Sequence, residues 1–272
     1  MQFHAGARAW AANDLRQARV LFEQALRVDP LNADALLGLQ YMTPSDVDLC
    51  ARLYEARAGV GRHQRRPTLG VHGRCFPLGH HPVEVVDSAG VALAYASALA
   101  ETGQRQQARG LLADHAGELP PHLLVGLHAR IAFDDGDFSH AVKLSASLSG
   151  AADLGVDGAL LHGAAVLHAG DPVGCRAHLM GVELATTDPT VSRRARDLLA
   201  QSYQRTGDDS AAARLLDALA DEDTSFTDTV AAPAAHTSVD EPAGDLFELL
   251  RQSFESGVTA DSPDIADNQP SA

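Results

Sequence analysis

The side chains best suited to chemistry gather in one short stretch. His63, His72, Cys75, His80 and His81 all fall in "GRHQRRPTLGVHGRCFPLGHHPVEVVDS", residues 61–88. Imidazole and thiolate together make a zinc-binding donor set. Their spacing matches no recurring zinc pattern, however. Alternation along a strand sends His72 and Cys75 to opposite faces, and no adjacent carboxylate stands ready to orient a ligating imidazole. The stretch therefore reads as solvated hairpin histidines, with a zinc shell as the rival reading, and no metal or other cofactor is expected. Nucleophile-elbow (GxSxG), HExxH and phosphate-loop (GxxxxGK[ST]) patterns do not occur, and Lys143, the sole lysine, lies in a helical stretch without a glycine loop. Paired acids such as Asp134–Asp135 sit at a turn, where their local hydrogen bonding suits them. No enzymatic activity is expected.

The elements around that stretch repeat. "ETGQRQQA", "DDGDFSHA", "HAGDPVGC" and "RTGDDSAA" place Gly103, Gly136, Gly170 and Gly207 at separations of 33, 34 and 37 residues, each glycine between two apolar-periodic segments. The period is that of a helix–turn–helix unit. Its second helix shows small residues with a large one between: Ala18, Phe22 and Ala25 before Pro30, then Ala108 with Leu112, Ala141 with Leu144 and Leu148, Cys175 with Leu179, and Ala212 with Leu216 and Leu219. First helices pair Gly163 with Val166 and Ala200 with Tyr203. These residues resemble the tetratricopeptide repeat. Regular units are expected at 1–32, 89–121, 122–155, 156–190 and 193–222, with a shortened one at 33–58 that turns at Thr43–Pro44. A continuous alanine-rich coiled coil is disfavoured by the internal glycines. The fold expected is an all-α, right-handed tetratricopeptide-like superhelix over 1–222, with about six units.

Three prolines and four glycines exclude a helix from 61–88. The β-leaning runs "TLGVHGRCF" and "HPVEVVD" around "PLGHH" predict a hairpin projecting from the edge of the solenoid.

Of the formal charge of −15, residues 221–272 carry twelve acids against one base, Arg251. So acidic a chain is repelled by phosphate backbones and anionic lipid, which argues against nucleic-acid and membrane partners. Scattered Cys50, Cys75 and Cys175, with no leader and no membrane-length apolar run, point to the cytoplasm. From Asp221 the composition predicts a flexible linker, 223–244. In "DLFELLRQSFES", residues 245–256, Leu246, Leu250 and Phe254 recur at helical spacing with Phe247 beside them. This short amphipathic helix is read either as a cap for the last repeat or as a partner-binding motif, and 257–272 as a disordered tail.

The order of units and insert, carried by "LFEQALRVDPLNADALLGL", the hairpin, "VALAYASALAETGQRQQARGLLADHAGELPPHLLVG" and "LLAQSYQRTGDDSAAARLLDAL", resembles the N-terminal domain of the EccA family, the AAA+ ATPases of actinobacterial type VII (ESX) secretion. The resemblance covers about residues 1–222 and stops before any ATPase module. It implies an adaptor or chaperone-like module that recognises secretion substrates or fellow components; a general scaffold or signalling regulator unrelated to secretion is the alternative. In tetratricopeptide arrays the first helices line the concave face. Aligning the glycine turns puts Ser97, Glu101, Arg130, Asp134, His168, Arg194, Gln201 and Arg205 there. Its arginines suit an acidic peptide or a C-terminal carboxylate, from a secretion substrate's tail or from the chain's own acidic end. The plainer reading is a set of solvated charges.

Overall fold

A computed structural model of the chain describes residues 2–60, 70–76, 82–148, 154–186 and 188–230, without the side chains of 184, 185 and 221–230. Its helices are α1 (Gln2–Ala11), α2 (Leu15–Val28), α3 (Ala33–Met42), α4 (Val47–Ala56), α5 (Ser88–Glu101), α6 (Arg105–Asp114), α7 (Pro121–Asp134), α8 (Phe138–Ser145), α9 (Gly155–His168), α10 (Pro172–Ala185), α11 (Pro189–Arg205) and α12 (Asp209–Val230). They form six successive pairs, a tetratricopeptide-like solenoid, with strands β1 (Gly73–Cys75) and β2 (Val83–Val85) inserted between the second pair and the third.

Each regular turn combines a residue that must adopt positive φ with one that caps the next helix. Gly103, Gly136, Gly170 and Gly207 have φ of 82°, 79°, 97° and 75°, a conformation that is inexpensive only without a Cβ. In the first unit Asn13, at 59°, takes that place, as its short polar side chain allows. The next amide then reaches back five residues, as in Asp14 to Ala9, Gln104 to Leu99 and Asp137 to Ala132. Asp14, Asp137, Asp171 and Asp208 turn their carboxylates to free amides of the helices they open, at 2.9, 3.1, 2.8 and 3.1 Å. At the third unit's turn Gln104 makes no such side-chain bond.

The first helices of the second and third units are buried nearly all round: α3 has eight buried residues of ten and α5 nine of fourteen. Second helices such as α2 bury only a stripe, here Ala18, Phe22, Ala25 and Leu26. Phe22 is the clearest case of a large residue set between small ones. A Cβ on Gly6 would lie 2.7 Å from its ring and one on Gly38 closer still, so three helices meet around one phenyl group.

The apolar interior forms three clusters. The largest runs from Phe3 through the hairpin residues Val71, Cys75 and Val85 to Leu154. A second runs from Leu160 to Leu199, and Ala132, Ala141 and Ala165 form a third. The chain divides into Met1–Thr224, which contains all three clusters, and Ser225–Ala272, described only through the last residues of α12.

Four expectations are corrected. The two strands do not stand clear of the solenoid: β1 packs on α3 and α5, and β2 on α5, because Val71, Cys75 and Val85 are apolar and turn into the core. The last pair begins at Pro189, ahead of 193, since Asp188 caps it and proline is preorganised for the first turn. Leu216 is 40% exposed and does not continue the second-helix stripe of Ala212 and Leu219. Finally, α12 continues to Val230, into the expected 223–244 linker. No proline or glycine interrupts 209–230, and the next breaker in the sequence is Pro233. The rest of that linker, the 245–256 segment with Leu246, Phe247, Leu250 and Phe254, and 257–272 lie outside the described residues.

Candidate protein-binding face

Strands β1 and β2 lie against the first helices α3 and α5. Strand β1 pairs antiparallel with β2, Arg74 opposite Glu84. Its backbone is also held by the solenoid: the buried amide of Gln40 on α3 accepts from the Arg74 amide at 2.5 Å and donates to the Arg74 carbonyl. One side chain thus imitates a neighbouring strand, which satisfies two backbone groups that burial would leave costly. Gly73 permits the approach, since a Cβ there would lie 2.8 Å from Leu37. The Arg74 guanidinium stacks 3.6 Å over the Tyr41 ring, and Tyr41 meets Trp10 edge-on at 4.5 Å. Sequence reasoning missed this ladder. Its signal was available, because aromatics are only 5% of the chain and Trp10 is the sole tryptophan.

Ser97 and Glu101 belong to this closed end. Ser97 is 3% exposed and out of a partner's reach, a correction to its place on the concave face: α5 is nearly enclosed. Glu101 is exposed but accepts from the Ser45 hydroxyl at the turn between α3 and α4.

Helices α7, α9 and α11 carry the other candidates. Arg130 donates to Asp134 at 2.9 Å along α7, and both are partly exposed. His168, at the end of α9, stacks on Phe138 at 5.0 Å and meets Phe133 edge-on at 5.4 Å. Arg205 of α11 donates to the Leu167 carbonyl at 2.5 Å and opposes protonation of His168, whose pKa is lowered first by burial and then by this guanidinium. With one of its five N–H groups so engaged, Arg205 keeps the others for a ligand. The structure therefore brings Arg205 to His168 and two aromatics that the sequence did not single out. Phe133 and Phe138 bracket the "DDGD" turn, a legible but unused signal. Gln201 donates to Asp197 at 3.1 Å, and Arg194 lines a groove of about 360 Å³ with Asp197 and Leu219 of α12. Arg194 thus stands apart from the Arg205 patch.

Other polar clusters are structural. Arg105 and Arg109 of α6 both reach Asp135 beyond α7, at 3.3 and 2.5 Å. Tyr54 of α4 bonds the buried His115 at 2.7 Å, and His115 lies 3.2 Å from Glu118. His162 of α9 lies 3.0 Å from the Ser145 hydroxyl at the end of α8 and 4.5 Å, ring to ring, from His178 of α10. Burial, then His178, lowers its pKa; burial also lowers that of His128, with Arg109 and His140 adding to the effect.

In the hairpin, His72 lies 3.8 Å from Glu84 across the strands, while the Cys75 thiol points inward and burial pushes its pKa up to about 12. Cys50 is likewise raised to about 12, by burial and then Asp46. Such thiols are poor nucleophiles at neutral pH. His63, His80 and His81 lie outside the described residues; among those described, no three His, Cys, Asp or Glu side chains are placed to hold a metal. No helix among the described residues is long and apolar enough to cross a membrane.

A solenoid of six helix pairs with a strand pair laid on its first helices defines a tetratricopeptide-like domain carrying an inserted hairpin. The family described as "T7SS, ESX-1 secretion system protein EccA1, N-terminal domain" matches residues 4–238, and the chain belongs to that family. Among solved structures it is similar to the N-terminal domain of the EccA1 ATPase from the ESX-1 secretion system of Mycobacterium tuberculosis, with a TM-score of 0.69 and 18% identity over 80% of this chain and 82% of that one. At that identity the likeness is one of fold. No curated protein matches the chain.

Proposed function

We propose that the chain is a non-catalytic, cytoplasmic protein-interaction component of type VII (ESX) secretion, and that the first-helix side of its last three units receives an acidic peptide segment of a substrate or fellow component. The carrying observation is the partly exposed set of Arg130, Phe133, Phe138, His168 and Arg205, on the side opposite in character to the hairpin-covered units. Guanidinium beside aromatic surface suits a carboxylate flanked by apolar residues. Family membership supports the secretion context. Gln201 extends the reading along α11, Arg194 belongs to a separate groove, and Leu246, Phe247, Leu250 and Phe254 serve either as a cap on the last repeat or as a second motif for a partner.

The test is binding of a fluorescent peptide with a free C-terminal carboxylate and flanking acids, at physiological salt. Arg130→Glu with Arg205→Glu should abolish binding and move the melting temperature by only a few degrees, since both side chains are partly or fully exposed. Binding that survives both reversals would exclude this face. A variant ending at Val230 should keep the melting temperature of the full chain; a marked fall would show the 245–256 segment to be structural.

A further inference from the structure

A second groove lies away from that face, between the second helices of the first two units. Helix α2 packs on α1 and α3, and its C-terminal end stays open to solvent. Val28 is 83% exposed and Leu31, just beyond, 53%. Beside them opens a depression of about 380 Å³ whose floor is Leu26, Leu39, Met42 and Leu49. It is apolar at the bottom and charged at the edge.

The charges at the edge are unequal in availability. Glu23 is paired with Arg19 at 3.1 Å, and the Asp46 carboxylate accepts from the Leu49 amide at 3.0 Å as the cap of α4. Glu23 is offset by Arg19, while Asp46 keeps its charge beside the neutral amide that it accepts from. Arg52 holds only the neutral Pro30 carbonyl, at 3.0 Å, and Arg27 has no ion pair or hydrogen bond among the described residues. Arg19, Arg27 and Arg52 against Glu23 and Asp46 thus leave the rim with one positive charge in excess over an apolar floor.

We propose that this groove docks an acidic amphipathic helix of another protein, its apolar face on Leu26, Leu39, Met42 and Leu49 and its carboxylates at Arg27 and Arg52. Small apolar depth selects side chains at helical spacing, and the two cations fix the sign of the partner. A second copy of the chain and an anionic bilayer are the other occupants, and the test separates them from the acidic helix.

The probe is a short fluorescein-labelled peptide with leucine at i, i+3, i+4 and i+7 and glutamate between, followed by anisotropy with the full chain at physiological salt. Wild type should bind it. Arg27→Glu, at an exposed position, should weaken binding about tenfold, and Glu23→Lys should strengthen it severalfold. A peptide with lysine for glutamate should not bind. The Arg130→Glu, Arg205→Glu variant should bind the probe as wild type does, which keeps this site separate from the inner face. No binding, equal binding of the lysine peptide, or indifference to both Arg27→Glu and Glu23→Lys would overturn the proposal. So would a chain that dimerises through Leu26 and Met42, or that binds phosphatidylglycerol vesicles and not the peptide.

Discussion

The two ends of the solenoid solve the same packing problem with different materials. The first two units enclose large side chains, Phe3, Phe22, Leu36, Leu37 and Leu53, and the strand pair packs on α3 and α5, the first helices of the second and third units. Where the fourth unit meets the fifth, Ala132, Ala141 and Ala165 let the helices approach closely, with Phe133, Val142 and the buried Leu148 around them and the buried pair of Ser145 and His162 beside them. A large aromatic anchored between glycines gives one deep, strongly determined contact. The junction instead spreads its packing over alanines, leucines and one polar pair. The strand pair covers α3 and α5, whereas α7, α9 and α11 carry the partly or fully exposed Arg130, His168 and Arg205.

The largest effect should come from removing the anchor. Phe22→Ala leaves a cavity lined by α1, α2 and α3 and should cost about 3–5 kcal/mol, read as a large fall in melting temperature. A loss below 1 kcal/mol would mean that the first units collapse as readily as the alanine junction.

Next comes the hairpin clamp. Gln40→Ala strands the Arg74 amide and carbonyl and should cost about 1–3 kcal/mol. Faster amide hydrogen exchange should appear at 71–75 and 83–85 before it appears in α7–α11. Simultaneous acceleration everywhere would erase the distinction between the two ends.

The junction should respond to acid. His128, His162 and His168 all have folded-state pKa values lowered from 6.5 by burial first, so folding favours their neutral forms. Their contribution is complete above the unfolded value of about 6.5 and is lost as the pH falls through the lower folded values. Hydrogen exchange in α7–α10 should therefore quicken between neutral pH and pH about 5 more than in α2–α3, and His162→Gln should blunt the response.

The smallest effect is at a cap. Gln104→Asp would restore the carboxylate found at the other glycine turns and should stabilise by about 0.5–1 kcal/mol. An unchanged melting temperature would show that the third unit's turn is already fixed by its neighbours.

The sequence alone determined the repeat, because its causes are local. Positive φ demands glycine, free amides demand a capping acid, and a helix pair demands a stripe of small and large residues at fixed offsets; each leaves a residue type at a countable position. From these follow six helix pairs and the family resemblance. Only the tertiary structure decided where the hairpin lies, since Gln40 and Arg74 are 34 residues apart and nothing in either residue type announces that a side-chain amide will pair with a strand. The same holds for the candidate face. Alignment on the turns offered Arg130, His168 and Arg205 as candidates but could not remove the buried Ser97 or add Phe133 and Phe138. Burial and ring stacking are set by whichever helices and strand pack over a residue, and chain-distant packing has no fixed spacing to read.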